Sequence, residues 1–243
     1  MIKLESELDS VKNKAEQKEK EIVEERQIKE KSKENYEKGV FKVYDAEDFS
    51  DKYYMKVDVN LYEQDKKDDS VTGESAIFRI FSKKTDEELN NFSSSYIYFW
   101  LKDGKFQVNK GELYDNGPIF YQDFNLDGVE DFAILEGNKS CYYGFSFDVY
   151  LVKNGEFVLS KEFSDLAQNY CGMFTMKNNK ISTMTKSGCC WHEYSEFVVV
   201  NGKPKLTSKI TEELIFDNFK ITTEKLVNGV WTKEIKEKPV EKD

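Results

Sequence analysis

The residues best spaced for chemistry are Asp123-Phe-Asn-Leu-Asp-Gly-Val-Glu-Asp131, which read D-x-N-x-D-G-x-x-D. In a tight loop alternate residues point inward, so side-chain oxygens of Asp123, Asn125 and Asp127 converge. Gly128, at the sixth position, permits the sharp backbone turn, and Val129, at the seventh, can offer its carbonyl. Asp131 supplies a further carboxylate, directly or through water. Hard oxygen donors in this number suit Ca²⁺ better than Mg²⁺ or a transition metal. A helix-flanked calcium loop would place Glu at the twelfth position, where this chain has Ile134, and the flanks Phe120-Tyr121 and Phe132-Ala-Ile-Leu135 read as strands. The expectation is therefore a calcium loop on a β-scaffold. The alternative is an Asp-rich turn without an ion.

A second stretch, Lys186-Ser-Gly-Cys-Cys-Trp-His192, carries two of the four cysteines and the single histidine. Adjacent cysteines cannot both join one tetrahedral zinc without strain, and the chain has no C-x-x-C. A nucleophilic thiolate beside the His192 imidazole is conceivable. The favoured reading is structural: a bridge between neighbours, Cys189–Cys190, with Cys141–Cys171 as the second bridge. Four cysteines permit three pairings, and the other two remain open. The chain shows no G-x-S-x-G, no phosphate-cradling glycine loop and no H-E-x-x-H. With one histidine most nucleophilic triads are unavailable. A non-enzymatic role is the expectation.

The elements that must position these residues fall into two parts. Residues 1–39 alternate Lys and Glu with no aromatic before Tyr36, a composition that favours helix. Leu4, Leu8, Val11 and Ala15 begin a seam at four- and three-residue steps that fails at Lys18. Too few heptads remain beyond it for a sustained coiled coil. This part is expected to be a charged helical tether, with dimerisation through a weak coiled coil as its alternative. Gly39 ends it as a helix C-terminal glycine would.

From residue 40 to 243 the pattern turns to period two. Met55, Val57, Val59 and Leu61 alternate with Lys56, Asp58 and Asn60, and Ile77–Phe81 and Tyr96–Trp100 read as further strands. Asp103-Gly104 predicts a hairpin turn into Phe106–Val108. Asn154-Gly155, Asn201-Gly202 and Asn228-Gly229 predict three more. Helical periodicity is limited to a single turn at Ser164–Gln168. The expected fold is all-β and antiparallel, either a sandwich or a partly closed barrel, preceded by the charged N-terminal helix.

Over 243 residues, 36 basic and 46 acidic side chains leave a net charge of −10. That charge disfavours nucleic acid, whose phosphates reward a basic surface, and favours basic partners or cations. No apolar run reaches the ~18 residues that a membrane span requires. An even cysteine count in a β-rich body suggests an oxidising compartment. Met1-Ile-Lys-Leu is followed by acidic residues without an apolar export segment, so a leader is expected to lie outside this sequence.

Several of these words, in order, resemble a family of exported bacterial proteins related to the periplasmic lysozyme inhibitors. They look most like calcium-binding immunity proteins that neutralise secreted lysozyme-like peptidoglycan hydrolases. The matching words are Asp123–Gly128 with Asp131, then Gly137-Asn138, Val149-Tyr-Leu151, Phe163-Ser-Asp-Leu166, Gly172-Met-Phe174 and Lys186–His192. The resemblance implies a β-sandwich-like fold, bound Ca²⁺, and a location in the bacterial periplasm or cell envelope, as a lipoprotein in many relatives. It also implies a loop tyrosine that enters the hydrolase's substrate groove, at the position of Tyr142 with Tyr143 beside it. Relatives usually carry a Gly-Gly-Pro-type loop there, whereas this chain reads Cys141-Tyr-Tyr-Gly-Phe145. Calcium is expected to hold the Gly137–Phe145 loop in shape. Two functions are therefore expected as alternatives: an inhibitor of a basic lysozyme-like hydrolase, and a calcium-binding envelope module without inhibitory activity.

Overall fold

A computed structural model describes residues 41–61, 70–110 and 117–240. Apart from Phe41 these belong to the second of two compact units, Lys42–Asp243. The charged helix or coiled coil expected over residues 1–39 lies outside the described residues.

Alternation of apolar and polar residues builds three open sheets. The first contains β1 (Phe41–Asp45), β2 (Tyr53–Leu61), β3 (Ser70–Ser82) and β4 (Glu88–Ser94) in that order. A fifth strand, β5 (Ile97–Trp100), pairs with the start of β3. Met55, Val57 and Val59 of β2 and Phe78 and Ile80 of β3 are fully buried, as their spacing predicts. The second sheet has the order β10-β9-β8-β7-β6. Its strands are β6 (Val108–Asn109), β7 (Ile119–Gln122), β8 (Asp131–Ser140), β9 (Gly144–Lys153) and β10 (Glu156–Leu159). The third is a meander of β11 (Thr175–Lys177), β12 (Lys180–Ser187), β13 (Trp191–Val200), β14 (Lys203–Ile215), β15 (Asn218–Val227) and β16 (Val230–Pro239).

The main core lies between the first two sheets, where rings interlock. Tyr53 meets Phe132 at 5.9 Å, Phe92 meets Tyr150 at 4.3 Å, and Phe99 stacks on Phe145 at 4.8 Å. Phe132-Ala-Ile-Leu135 is buried without a break, as a strand covered on both faces must be. Helix α1 (Lys161–Gln168) supplies part of that cover through Phe163, Leu166 and Ala167. Its Ser164 hydroxyl accepts a hydrogen bond from the Val149 amide at 2.8 Å, fastening the helix to β9.

Three expectations change. The barrel alternative fails, because every sheet has two free ends among the described residues. The single turn expected at Ser164–Gln168 is the end of an eight-residue helix, whose i, i+3, i+4 apolar stripe is Phe163, Leu166 and Ala167. Asp103-Gly104 does turn the chain, with Lys102 bridging Lys105. The strand after that turn joins the other sheet, since β6 pairs with β7, and does so in parallel. The three Asn-Gly turns form as expected, each with both residues at positive φ.

Candidate functional site

The acidic loop joins β7 to β8 and is anchored from below. Phe124 is fully buried against Phe174 at 5.5 Å and Phe163 at 6.3 Å. The tight path uses left-handed backbone at Leu126 (φ 62°) and Gly128 (φ 87°). The Asp123 carboxylate accepts from the Asp127 amide at 3.1 Å and the Gly128 amide at 2.8 Å. Asn125 Oδ1 also accepts from the Asp127 amide, at 2.9 Å, and its Nδ2 donates to Asp127 Oδ2 at 2.9 Å. Asp127 Oδ1 accepts from the Val129 amide at 2.9 Å.

Asp131, fully buried, ties three segments together. From the start of β8 its two oxygens accept from the Val152 amide of β9 at 2.8 Å and the Phe124 amide at 3.0 Å. Burial pushes its carboxyl up to about 7; the charges of Asp127 and Asp123 push the same way, and the two amides oppose them. The structure thus brings Asp123, Asn125, Asp127, Val129 and Asp131 into one loop. Among the described residues no group of three or more His, Cys, Asp or Glu side chains is arranged to hold a metal ion. The carboxylate oxygens are directed at backbone amides and, for Asp127 Oδ2, at the Asn125 side-chain amide.

The tyrosine pair sits at the opposite end of β8. At about 3.3 Å per residue the ten residues of this strand set an upper limit of roughly 30 Å on the separation of the two loops, which the register shifts within β8 shorten. Calcium in the acidic loop would act on the Gly137–Phe145 loop through β8 and through the 163–174 segment, on which Phe124 packs and to which Cys141 is bridged. It would sit at the base of the β8–β9 hairpin, whose tip is the 3₁₀ turn Cys141–Tyr143.

That tip is fastened from two sides. The Cys141–Cys171 disulfide joins it to the segment after α1, with Cα atoms 4.9 Å apart. The Ser140 hydroxyl donates to the Tyr170 carbonyl and accepts from the Gly172 amide at 2.7 Å. Tyr142 and Tyr143 are both left-handed, at φ 54° and 59°, which non-glycine residues seldom adopt. The two rings differ in their surroundings. Tyr142 donates from its hydroxyl to the Gly188 carbonyl at 3.2 Å, and the Lys186 ammonium lies 5.1 Å from its ring centre. Tyr143 is 86% exposed.

Gly188 opens the turn between β12 and β13 that holds the second bridge, Cys189–Cys190, whose Cα atoms are 3.7 Å apart. Both expected pairings are thus present, and no cysteine among the described residues is free. Neither Cys189 nor Cys190 carries the thiol that a nucleophile would need. His192 lies on β13 between Lys186 of β12 and Glu212 of β14. Sequence reasoning missed that the two hairpin tips meet, because the Tyr142–Gly188 contact joins residues 46 apart. It also missed Asp148, whose carboxyl is raised by burial and by the charge of Glu136, and which accepts from Gln168 Nε2 at 2.7 Å.

No helix among the described residues is long and apolar enough to cross a membrane. No protein-family model matches the chain, and no curated protein matches it. Among solved structures it is similar to a Xanthomonas protein described as related to the type IV secretion system. The TM-score is 0.60 at 21% identity, over 79% of this chain and 92% of that one. At that identity the likeness is one of fold.

Proposed function

We propose that this protein is a calcium-stabilised binding protein of the bacterial envelope that blocks a lysozyme-like peptidoglycan hydrolase, with the β8–β9 tip entering the enzyme's substrate groove. The observation that carries this reading is Tyr143, 86% exposed on a turn held by a disulfide and by its neighbour's hydrogen bond. A ring presented on a rigid turn loses little conformational freedom on binding, and Tyr combines a large apolar face with a hydroxyl. Tyr143 is the residue that reaches the partner's catalytic carboxylates, and Tyr142 is the strut that fixes its direction. A net charge of −10 steers the protein toward a basic enzyme, with an association rate that falls as salt rises. Two disulfides suit the oxidising space outside the cytoplasm.

The D-x-N-x-D-G-x-x-D spacing supports Ca²⁺ at the hairpin base, held by the side chains of Asp123, Asn125, Asp127 and Asp131 and the Val129 carbonyl. Burial is the main cause that raises Asp131, and a cation would favour its ionised form and relieve the added push from the charges of Asp127 and Asp123. Its role there is to fix strand geometry.

The test is inhibition of a panel of purified lysozymes and secreted peptidoglycan hydrolases acting on cell-wall suspensions. Tyr143→Ala should weaken inhibition roughly 30-fold or more, the loss of a hot spot worth about 2 kcal/mol or more. Tyr142→Phe should weaken it only a few-fold. Inhibition by none of the panel, with the calcium response intact, would leave the calcium-binding envelope module as the function.

A further inference from the structure

The third sheet ends in a strand that no described residue covers. β16 is exposed along its whole length, and among the described residues no strand pairs with its outer side. The direction of its backbone groups is set at its two ends. The Asn228-Gly229 turn closes on Val227 opposite Val230, and the Val240 amide donates to the Asp217 carbonyl at 3.0 Å. In an antiparallel ladder residues alternate sides, so even-numbered residues bond toward β15. Trp231, Lys233, Ile235 and Glu237 then direct N–H and C=O outward. Pro239, the next outward position, has no N–H to offer, which is where an edge tolerates proline.

We infer that this edge is a self-pairing surface: β16 of one copy adds antiparallel to β16 of a second copy, with the twofold axis at Ile235. The charge order selects that register. Centred on Ile235, Lys233 faces Glu237 of the other copy and Glu234 faces Lys236, and symmetry repeats each pair. Ile235 meets its own copy, and Trp231, 47% exposed, lies opposite Pro239. Centring on Glu234 sets Glu234 against itself and Lys233 against Ile235; centring on Lys236 sets Lys236 against itself and Glu237 against Ile235. Parallel in-register pairing would set every charge against its like. Opposite charges directly across a ladder stabilise it, and like charges destabilise it.

Lysines on an edge ordinarily deter strand addition. Here Lys233 and Lys236 each gain a glutamate directly across the ladder from a second copy in this register, so the same residues that exclude other strands admit this one. The contacts given up are slight. Lys236 reaches Glu234 of its own strand at 2.9 Å, and Lys233 reaches Glu224 at 3.9 Å, all at partly exposed positions. One paired strand buries less than a standard interface, so the dimer is weak and concentration-dependent.

Sedimentation of the full chain across a wide concentration range should show a monomer–dimer equilibrium. Ile235→Cys should form a covalent dimer under mild oxidation, because only this register sets the residue against itself. Glu237→Lys should weaken association about tenfold, and Lys233→Glu with Glu237→Lys should restore it. Thermal midpoints unchanged from wild type would show that each variant folds. A monomer at every concentration, an Ile235→Cys chain that stays monomeric, or a dimer indifferent to Glu237→Lys would each overturn the inference; the last would place association elsewhere in the chain.

Discussion

The base and the tip of the β8–β9 hairpin are built on opposite principles. At the base, Asp131 and Phe132 are fully buried, and the polar atoms of the acidic loop are answered by backbone amides or by one another. At the tip, Tyr142 and Tyr143 are 58% and 86% exposed, and order comes from a disulfide, the Ser140 and Tyr142 hydroxyls and an overlying lysine. A residue that spends its apolar surface in the core cannot offer it to a partner. The base is therefore where stability resides, and the tip is where recognition is available. Changes at one end can reach the other along β8 or through the 163–174 segment, on which Phe124 packs and to which Cys141 is bridged.

The largest expected effect breaks the base alone. Phe132→Ala empties a position that Tyr53, Phe49, Tyr121 and Phe157 surround, and should cost about 3–5 kcal/mol in urea unfolding. Tyr143→Ala should leave the unfolding midpoint unchanged to within about 0.5 kcal/mol, the usual range for an exposed side chain. If both lower it equally, the contrast between base and tip is wrong.

A smaller effect concerns Asp131. Its folded carboxyl titrates near 7, above the ordinary carboxylate value of about 4, so the folded state holds the proton more tightly than the unfolded one. That contribution is fully present below pH ~4 and is lost as pH rises toward 7. Chelator-treated protein should accordingly lose stability across that window as pH increases. Excess calcium should flatten the slope by favouring the ionised form. Unfolding midpoints measured from pH 4 to 8, with calcium and with chelator, check the sign. The smallest effect sharpens the tip: Tyr142→Phe removes the hydroxyl that reaches Gly188 and should change stability by no more than about 1 kcal/mol.

Much of this was legible in the sequence, to different depths. Local signals held well. Period-two alternation found Met55, Val57 and Val59 in the core, and Asn-Gly placed three turns. Contacts distant in sequence did not show. Nothing in Phe106–Val108 tells that β6 joins β7 in parallel, because that pairing depends on where Ala46 meets Phe106. The acidic loop was readable because, apart from the Asp131–Val152 bond, its side chains bond within nine residues. The meeting of Tyr142 with Gly188 was not, since two separate hairpins must fold before their tips touch. The separation of the acidic loop from the tyrosine loop was readable in principle, since Asp131 and Ser140 stand at the two ends of one strand.

Calcium in the acidic loop is proposed to lock the hairpin base. Thermal unfolding of the wild-type chain and of Asp127→Ala, each with calcium and with chelator, tests this directly. At about 100 times its Kd, calcium should stabilise the wild type by roughly 2.7 kcal/mol and leave Asp127→Ala unmoved. Midpoints that calcium shifts in neither protein, or in both alike, would contradict it.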